Sequence, residues 1–237
     1  MKHVLYKNDM FMAHVKGNKT QTTRRIVVQP GAVGAVAIEP YDDITWMYTD
    51  GLGHITKENK FVRCPYGVQG EIVYLREYWR IVGIDVGSRR LLVCYSSNCS
   101  KRGEMECFRW VEIKSEERFW YYHRRTTKEL EKNGAERDAN GNHIMRIDDP
   151  KTEWREMHKM PEVVARHYAK IGYVEVIQIQ DITEEEIIDE GVEYMPGYGK
   201  RSNRDVFIDY WDKFNINKDC SYSANPFVWK ITFERKT

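Results

Sequence analysis

The sequence predicts an α+β protein in which many short strands form a partly closed β-barrel and a few short helices flank it. Thirteen per cent of the residues are aromatic, and aromatic side chains are enriched in strands. Short runs of β-branched and aromatic residues, bounded by Gly and Pro, recur along the chain. Only three segments carry clear helix signals, which are apolar spacing in two of them and a capping box in the third. Strand-rich chains with few helices favour this architecture.

The length of 237 residues suits one large domain or one domain with an insertion. The formal net charge is +1, so any basic binding surface must be local. No apolar run is long enough to cross a membrane, and the first residues lack the apolar stretch of a signal peptide. These features predict a cytoplasmic protein with no membrane partner.

The five cysteines do not have the spacing of a zinc site. The segment CYSSNCSKRGEMEC holds Cys94, Cys99 and Cys107 but no C-x2-C pair, which such sites need. We therefore expect reduced thiols, with Cys94 in a strand, and neither a metal nor an organic cofactor.

The first helix is predicted over Asp9–Lys16, with Gly17 ending it. Asn18–Arg25 is then expected to be a loop. A capping box formed by Thr183 and Glu186 predicts a second helix, Thr183–Glu190, and VFIDYWDKF is the third. Strands are predicted at CPYGVQGEIVYLREYWR, RRLLVCY, FRWVEIK, YVEVIQIQDI and PFVWKITFER.

The segment Lys114–Pro150 is rich in charge and is predicted to face solvent, with a turn at Asn140-Gly141. Charge runs are usually solvated surfaces. The alternative is an arm that binds a partner.

Glu190 stands out by its position at the end of the second helix. A carboxylate is disfavoured there by the negative end of the helix dipole. Glu190 therefore needs a cationic partner or must be neutral at times. The alternative is an exposed glutamate that tolerates the cost.

The segment GNKTQTTRR, 17–25, combines hydroxyls with cations. Arg24 and Arg25 would lower the pKa of Lys19 and favour a neutral amine. A neutral lysine can accept a proton from a hydroxyl, which is a known way to activate a nucleophile. The alternative is a solvated basic turn whose threonines bond the backbone. The hydroxyls come from Thr20, Thr22 and Thr23.

These motifs, taken in order, resemble the phage-encoded ASCH-domain proteins of the PUA-like superfamily. The resemblance rests on GNKTQTTRR, CPYGVQGEIVYLREYW, DITEEEIIDEGV and YWDKFN with ANPFVWKITFER. It covers roughly residues 1–80 and 154–236. It implies a single PUA-like domain over 1–237, with a variable insertion at about 81–153, in a bacterial host cell.

The resemblance also implies an active site. One branch of the family hydrolyses N4-acetylcytidine through a G-x-K-T-x-T-x-R motif, which matches Gly17 to Arg24 here. Carried over, it implies that Lys19, Thr22 and Glu190 are catalytic. Lys19 would deprotonate Thr22, which attacks the acyl carbonyl, and Glu190 would pass the proton to the leaving amine. Candidate substrate-binding residues are Thr20, Arg24, Arg25, Tyr66, Arg76, Tyr78, Lys200, Arg201 and Arg204.

The chain departs from the family pattern at four positions. Thr23 stands where many members have an arginine, Glu71 follows Gly70 where they have an aspartate, and Tyr78 stands in REYW where they have a threonine. Val163 replaces a tryptophan, which argues against substrate stacking at that position. The expected partner is a nucleoside or a single-stranded nucleic acid, held in part by aromatic stacking. Trp79 is also a stacking candidate, although packing in the core is the alternative for it.

Two other functions stay open from the sequence. The chain could be a non-catalytic RNA-binding module that uses the loop to bind phosphate, or a phage assembly or host-interaction protein. A binding module has no use for Glu190, because a carboxylate repels phosphate.

Overall fold

The structure of the protein is a computed structural model. This structure describes residues 1–6, 8–27, 29–30, 35–54, 60–96, 107–194, 201–215 and 220–234. Helices and strands alternate irregularly along these residues. The helices are α1 (Asn8–Val15), α2 (Glu116–Lys132), α3 (Glu184–Asp189) and α4 (Asn203–Asn215). The strands are β1 (His3–Leu5), β2 (Gln21–Arg25), β3 (Ala37–Pro40), β4 (Trp46–Thr49), β5 (Phe61–Val62), β6 (Ile72–Arg76), β7 (Trp79–Asp85), β8 (Arg90–Tyr95), β9 (Phe108–Glu112), β10 (Tyr168–Gln178) and β11 (Phe227–Phe233).

Over the described ranges the strands form three sheets, with orders β1-β6-β10-β11-β2, β3-β4-β5 and β7-β8-β9. The mixed α+β class predicted from the sequence is therefore confirmed. None of these sheets closes on itself within the described residues. The finer expectation, a partly closed barrel of the PUA-like type, stays a prediction.

The chain divides into two units by its internal contacts. The first comprises residues 1–4, 12–74 and 167–237, and the second comprises residues 5–11 and 75–166. The predicted insertion at about 81–153 falls within the second unit. That this segment is an insertion into a single domain stays a prediction.

The central pairing of the first unit joins β10 to β11. These two strands run antiparallel to each other. On its other side β11 pairs with β2, again antiparallel, and this register places Ile231 opposite Thr22 and Lys230 opposite Thr23. Trp229, Ile231 and Phe233 of β11 are buried, as their alternation in the sequence predicts. This register fixes where the threonines of β2 lie.

The second unit contains the β7-β8-β9 meander and the long helix α2. Ser115 caps α2 by accepting a hydrogen bond from the Arg118 backbone N–H. The sequence analysis indicates no helix in this charged segment. The structure has one over Glu116–Lys132, and its Phe119, Thr126, Glu129 and Leu130 are buried rather than facing solvent. The turn at Asn140-Gly141 is confirmed, since Gly141 has φ +81° and donates to the Asp138 carbonyl.

Most of the predicted helices and strands are present in the structure. The first helix, the capping box on α3, the helix at VFIDYWDKF and all five predicted strand segments are confirmed. The expected loop at Asn18–Arg25 is wrong for Gln21–Arg25, which is strand β2. Its side chains bond α3 on one face while its backbone pairs with β11, and such contacts outweigh the polar composition.

No helix of the described residues has the length and apolar character to span a membrane. The same residues contain no cluster of three or more His, Cys, Asp or Glu side chains that could hold a metal ion. Cys94 lies in β8, as expected, and Cys99 lies outside the described residues.

Candidate active site

The segment that leads from α1 to β2 brings Lys19 into the interior of the first unit. Gly17 adopts φ +79° after the helix, a conformation that glycine accepts without strain. The backbone N–H groups of Asn18 and Lys19 both donate to the Ala13 carbonyl, at 2.9 and 3.2 Å. The chain is thereby turned so that the Lys19 side chain is only 3% exposed.

Helix α3 places Glu190 at the same point. Its capping box, Thr183 with Glu186, fixes the start of the helix, and Glu190 is the C-cap residue with its N–H bonded to the Glu186 carbonyl. Glu190 is 4% exposed. Gly191 follows at φ +77°, and a Cβ there would lie 3.1 Å from Lys19 Cβ. Glycine therefore permits the close approach of these two segments.

Lys19, Glu190 and Thr23 form a buried cluster, which we call the lysine–glutamate cluster. Lys19 Nζ lies 2.6 Å from Glu190 Oε2 and also donates to the Glu190 carbonyl oxygen at 2.6 Å. Thr23 Oγ1 donates to the other carboxylate oxygen, Oε1. The expectation that Glu190 needs a cationic partner is confirmed, and the alternative of an exposed glutamate is wrong.

The pKa of Lys19 is lowered from its ordinary value. Burial is the largest cause, because it penalises the charged ammonium, and the cation of Arg24 lowers the pKa further. The attraction and hydrogen bond of Glu190 oppose this shift. The predicted direction is confirmed, but burial outweighs the crowding of cations that the sequence suggested.

Further contacts hold α3 against β2 and β11. Thr20 Oγ1 donates to Asp189 Oδ1 at 2.8 Å, and the Thr20 N–H donates to the Asp189 carbonyl at 2.9 Å. Lys230 on β11 forms ion pairs with Glu186 on α3 and with Glu175 on β10. The sequence analysis does not assign Asp189 or Lys230 to the site. One signal for acidic groups along α3 is present in the sequence, because Glu186 and Glu190 are one helix turn apart.

The two threonines of β2 lie differently. Successive side chains of a strand point to opposite faces, so Thr22 and Thr23 face away from each other. Thr23 reaches Glu190, whereas Thr22 is 3% exposed and sits opposite Ile231 in the register. The sequence analysis identifies Thr23 as a hydroxyl source and as a departure from the family pattern, but it does not assign Thr23 to the site.

A cleft of about 580 Å³ borders the cluster in the first unit. Its wall includes Lys19, Thr20, His14 and Tyr168. The His14 ring meets the Phe233 ring edge to face at 5.0 Å. Tyr168 is 40% exposed, and an exposed ring offers a stacking surface for a base. The cleft is rimmed further by Lys16, Gly17, Lys170 and Glu234.

Predicted substrate-binding residues of the first unit have varied surroundings. The Arg24 guanidinium lies 5.9 Å from the centre of the Tyr66 ring, so these two residues meet. Arg25 is half-buried on β2 opposite Val228. Arg201 pairs with Asp209 at 2.6 Å, and Arg204 pairs with Glu184 at 2.7 Å. The charge of both arginines is therefore already partly balanced by carboxylates.

Three predicted residues are elsewhere. Arg76 and Tyr78 belong to the second unit, where Arg76 donates to the His158 carbonyl and Tyr78 is 36% exposed. Lys200 lies outside the described residues. Trp79 is 1% exposed, so packing in the core is the correct account of this side chain. Val163, at the position of the family tryptophan, is 38% exposed.

Comparison with known proteins adds no relative to this picture: no family model, curated protein or solved structure matches the chain.

Proposed function

We propose that the chain is an amidohydrolase of the ASCH, PUA-like type that acts on N4-acylated cytidine-type nucleosides. The observation that carries the proposal is the lysine–glutamate cluster. Its lysine and glutamate are 171 positions apart in sequence, meet at 2.6 Å and are both buried. A pair of titratable groups with a lowered lysine pKa beside a cleft is the arrangement expected of an acid–base site.

The proposed reaction begins with attack of a threonine Oγ on the acyl carbon. The Lys19–Glu190 pair takes the hydroxyl proton and delivers it to the nitrogen as the C–N bond breaks. The amine leaves as the free base, and the acyl group remains as an ester on the threonine. Water then hydrolyses the ester, releases the carboxylate and restores the hydroxyl.

The nucleophile is one of two adjacent hydroxyls on β2. The family resemblance implies Thr22, and the hydrogen bond to Glu190 Oε1 favours Thr23. If Thr22 is the nucleophile, Thr23 is a positioning residue that orients the carboxylate. Thr22→Val and Thr23→Val remove one hydroxyl each while nearly keeping the side-chain shape, so they separate the two roles.

Burial also bears on the alternative of a non-catalytic module. A lysine that binds phosphate must reach its ligand with its charge free. Lys19 is 3% exposed and already meets a carboxylate. This arrangement is better suited to moving a proton than to holding a phosphate.

The test is release of cytidine from N4-acetylcytidine by the purified protein. We expect turnover by the wild type and loss in Lys19→Ala, Glu190→Ala and one of the two threonine variants. Melting temperatures of all variants separate loss of chemistry from loss of folding. No turnover of any N4-acyl cytidine by the wild type would refute the proposal.

A further inference from the structure

Helix α2 in the second unit presents a polar stripe that the proposed chemistry does not use. Tyr121, Arg124, Arg125, Lys128 and Lys132 recur at spacings of three and four residues, which places them on one side of a helix. Together with Glu129 and Glu153 they line a groove of about 410 Å³. We call this the α2 groove.

The α2 groove has an excess of positive charge. Four cations line it against two carboxylates. Glu129 is buried and accepts hydrogen bonds from Arg155 Nη2 at 3.0 and 3.2 Å, and Glu153 pairs with Lys132 at 2.8 Å. Both carboxylates are therefore already neutralised by cations of the protein.

Two cations of the groove are available to a ligand. Arg124 and Lys128 are exposed, and neither forms an ion pair with any residue in the described ranges. They are four residues apart, which is about 6 Å along the helix axis. A flexible chain of regularly spaced anions could reach both at once.

An aromatic ring lies beside these cations. Tyr121 is 51% exposed, and its ring meets the Tyr122 ring edge to face at 5.3 Å. Arg125 donates to the Tyr121 hydroxyl at 3.4 Å. An exposed ring that is held by its neighbours suits stacking with a nucleobase, which favours single strands whose bases are unpaired.

We propose that the α2 groove binds a single-stranded nucleic acid. Arg124 and Lys128 contact phosphates, and Tyr121 stacks on a base. The positive charge of the groove would also attract an acidic polypeptide, but acidic side chains have no planar ring to stack on Tyr121. The site goes beyond the proposed hydrolase activity and does not depend on it, because all its residues belong to the second unit.

The experiment is fluorescence anisotropy with a labelled single-stranded RNA oligonucleotide of mixed sequence, titrated with the wild type at several salt concentrations. The test variant is Arg124→Glu/Lys128→Glu. The control, Lys114→Glu/Lys159→Glu, makes the same charge change at two exposed lysines of the second unit outside the groove, of which Lys159 pairs with Glu156. Far-UV circular dichroism and melting temperatures check that each variant folds. If the charge-reversal variant does not fold, the charge-neutral variant Arg124→Gln/Lys128→Gln takes its place.

Each phosphate contact contributes about 0.7 to the slope of log affinity against log salt for a single strand. The test variant should therefore lose affinity and reduce that slope by about 1.4, while the control should retain most of the affinity. Tyr121→Ala should weaken binding by about 5- to 140-fold. That loss should disappear with an abasic oligonucleotide.

Several results would overturn the proposal. They are no binding by the wild type at low salt, equal losses in test and control variants, and equal affinity for a duplex of the same sequence. Competition by polyglutamate as effective as that by unlabelled RNA would identify an acidic polypeptide as the partner instead.

Discussion

Lys19 Nζ lies 2.6 Å from Glu190 Oε2, and both side chains are at least 95% buried. Removing two charges from water costs several kcal/mol for each ion, and the cost is offset only when geometry and further hydrogen bonds are good. Here the Thr23 hydroxyl and the Glu190 carbonyl supply the further bonds. The pair is therefore a costly arrangement that depends on its surroundings.

Single and double substitutions at this pair should differ in stability. Lys19→Met alone leaves a buried carboxylate without its cation and should cost about 3–5 kcal/mol. Lys19→Met/Glu190→Gln removes both charges and should cost less than the sum of the two single changes. Urea unfolding of the four proteins measures this, and strictly additive losses would show that the two groups are not coupled.

Gly191→Ala should destabilise the protein more than Gly17→Ala. Both glycines have positive φ, +77° and +79°, so each alanine should cost about 1–2 kcal/mol for its left-handed backbone. The added Cβ at Gly191 would also lie 3.1 Å from Lys19 Cβ, whereas nothing lies within 4 Å at Gly17. Equal decreases in melting temperature for the two variants would show that Lys19 moves away from the added Cβ at little cost.

Glu77 and Arg166 form a buried ion pair within the second unit. Arg166 Nε and Nη2 donate to the two carboxylate oxygens of Glu77 at 2.8 and 3.0 Å, and Glu77 is 0% exposed. Glu77→Ala leaves the guanidinium without its carboxylate and should cost about 3–5 kcal/mol.

The matched control for that change is Glu153→Ala. Glu153 pairs with Lys132 at the same distance, 2.8 Å, but both side chains are largely exposed. Solvent screens such a pair, so its loss should be much smaller. Comparable unfolding free energies for the two variants would contradict the distinction between buried and exposed pairs.

The thiol of Cys64 should be unreactive in the folded protein. Burial raises the pKa of Cys64 to about 11, because the charged thiolate is disfavoured away from water. The thiolate is the reactive form, so almost none is present at pH 8. Cys94, Cys107 and Cys220 are also buried.

The measurement is reaction with a thiol-specific aromatic disulfide at pH 8 in a Cys99→Ser background. The native protein should react slowly and the denatured protein at all remaining thiols. Rapid reaction at Cys64, located by peptide mapping, would show that the site opens readily.

The position of Glu190 was predictable because the helix dipole and the capping box are local properties. Thr183, Glu186 and Gly191 fix the two ends of α3, and a carboxylate at its C-terminal end requires compensation. That Lys19 supplies the charge cannot follow from local patterns, because 171 positions separate the two residues. Only the family resemblance linked them in the sequence.

The wrong loop prediction and the open choice of nucleophile also depend on contacts with elements that are distant in the sequence. Gln21–Arg25 looked like a loop because its polar side chains satisfy no apolar alternation, yet β11 supplies a pairing partner and α3 supplies hydrogen-bond acceptors. The choice between Thr22 and Thr23 depends on which face of β2 meets α3. A one-residue change of register would exchange them, so sequence spacing cannot decide it.

The most direct test of the central claim is turnover of N4-acetylcytidine by the wild type beside Lys19→Met/Glu190→Gln. This double variant removes the proton-transfer groups without leaving a buried charge, so it should fold with a melting temperature near that of the wild type. We predict cytidine release by the wild type and only the uncatalysed rate with the folded double variant. Wild-type turnover in that variant would assign the cluster to structure alone, and an inactive wild type would contradict the proposed activity.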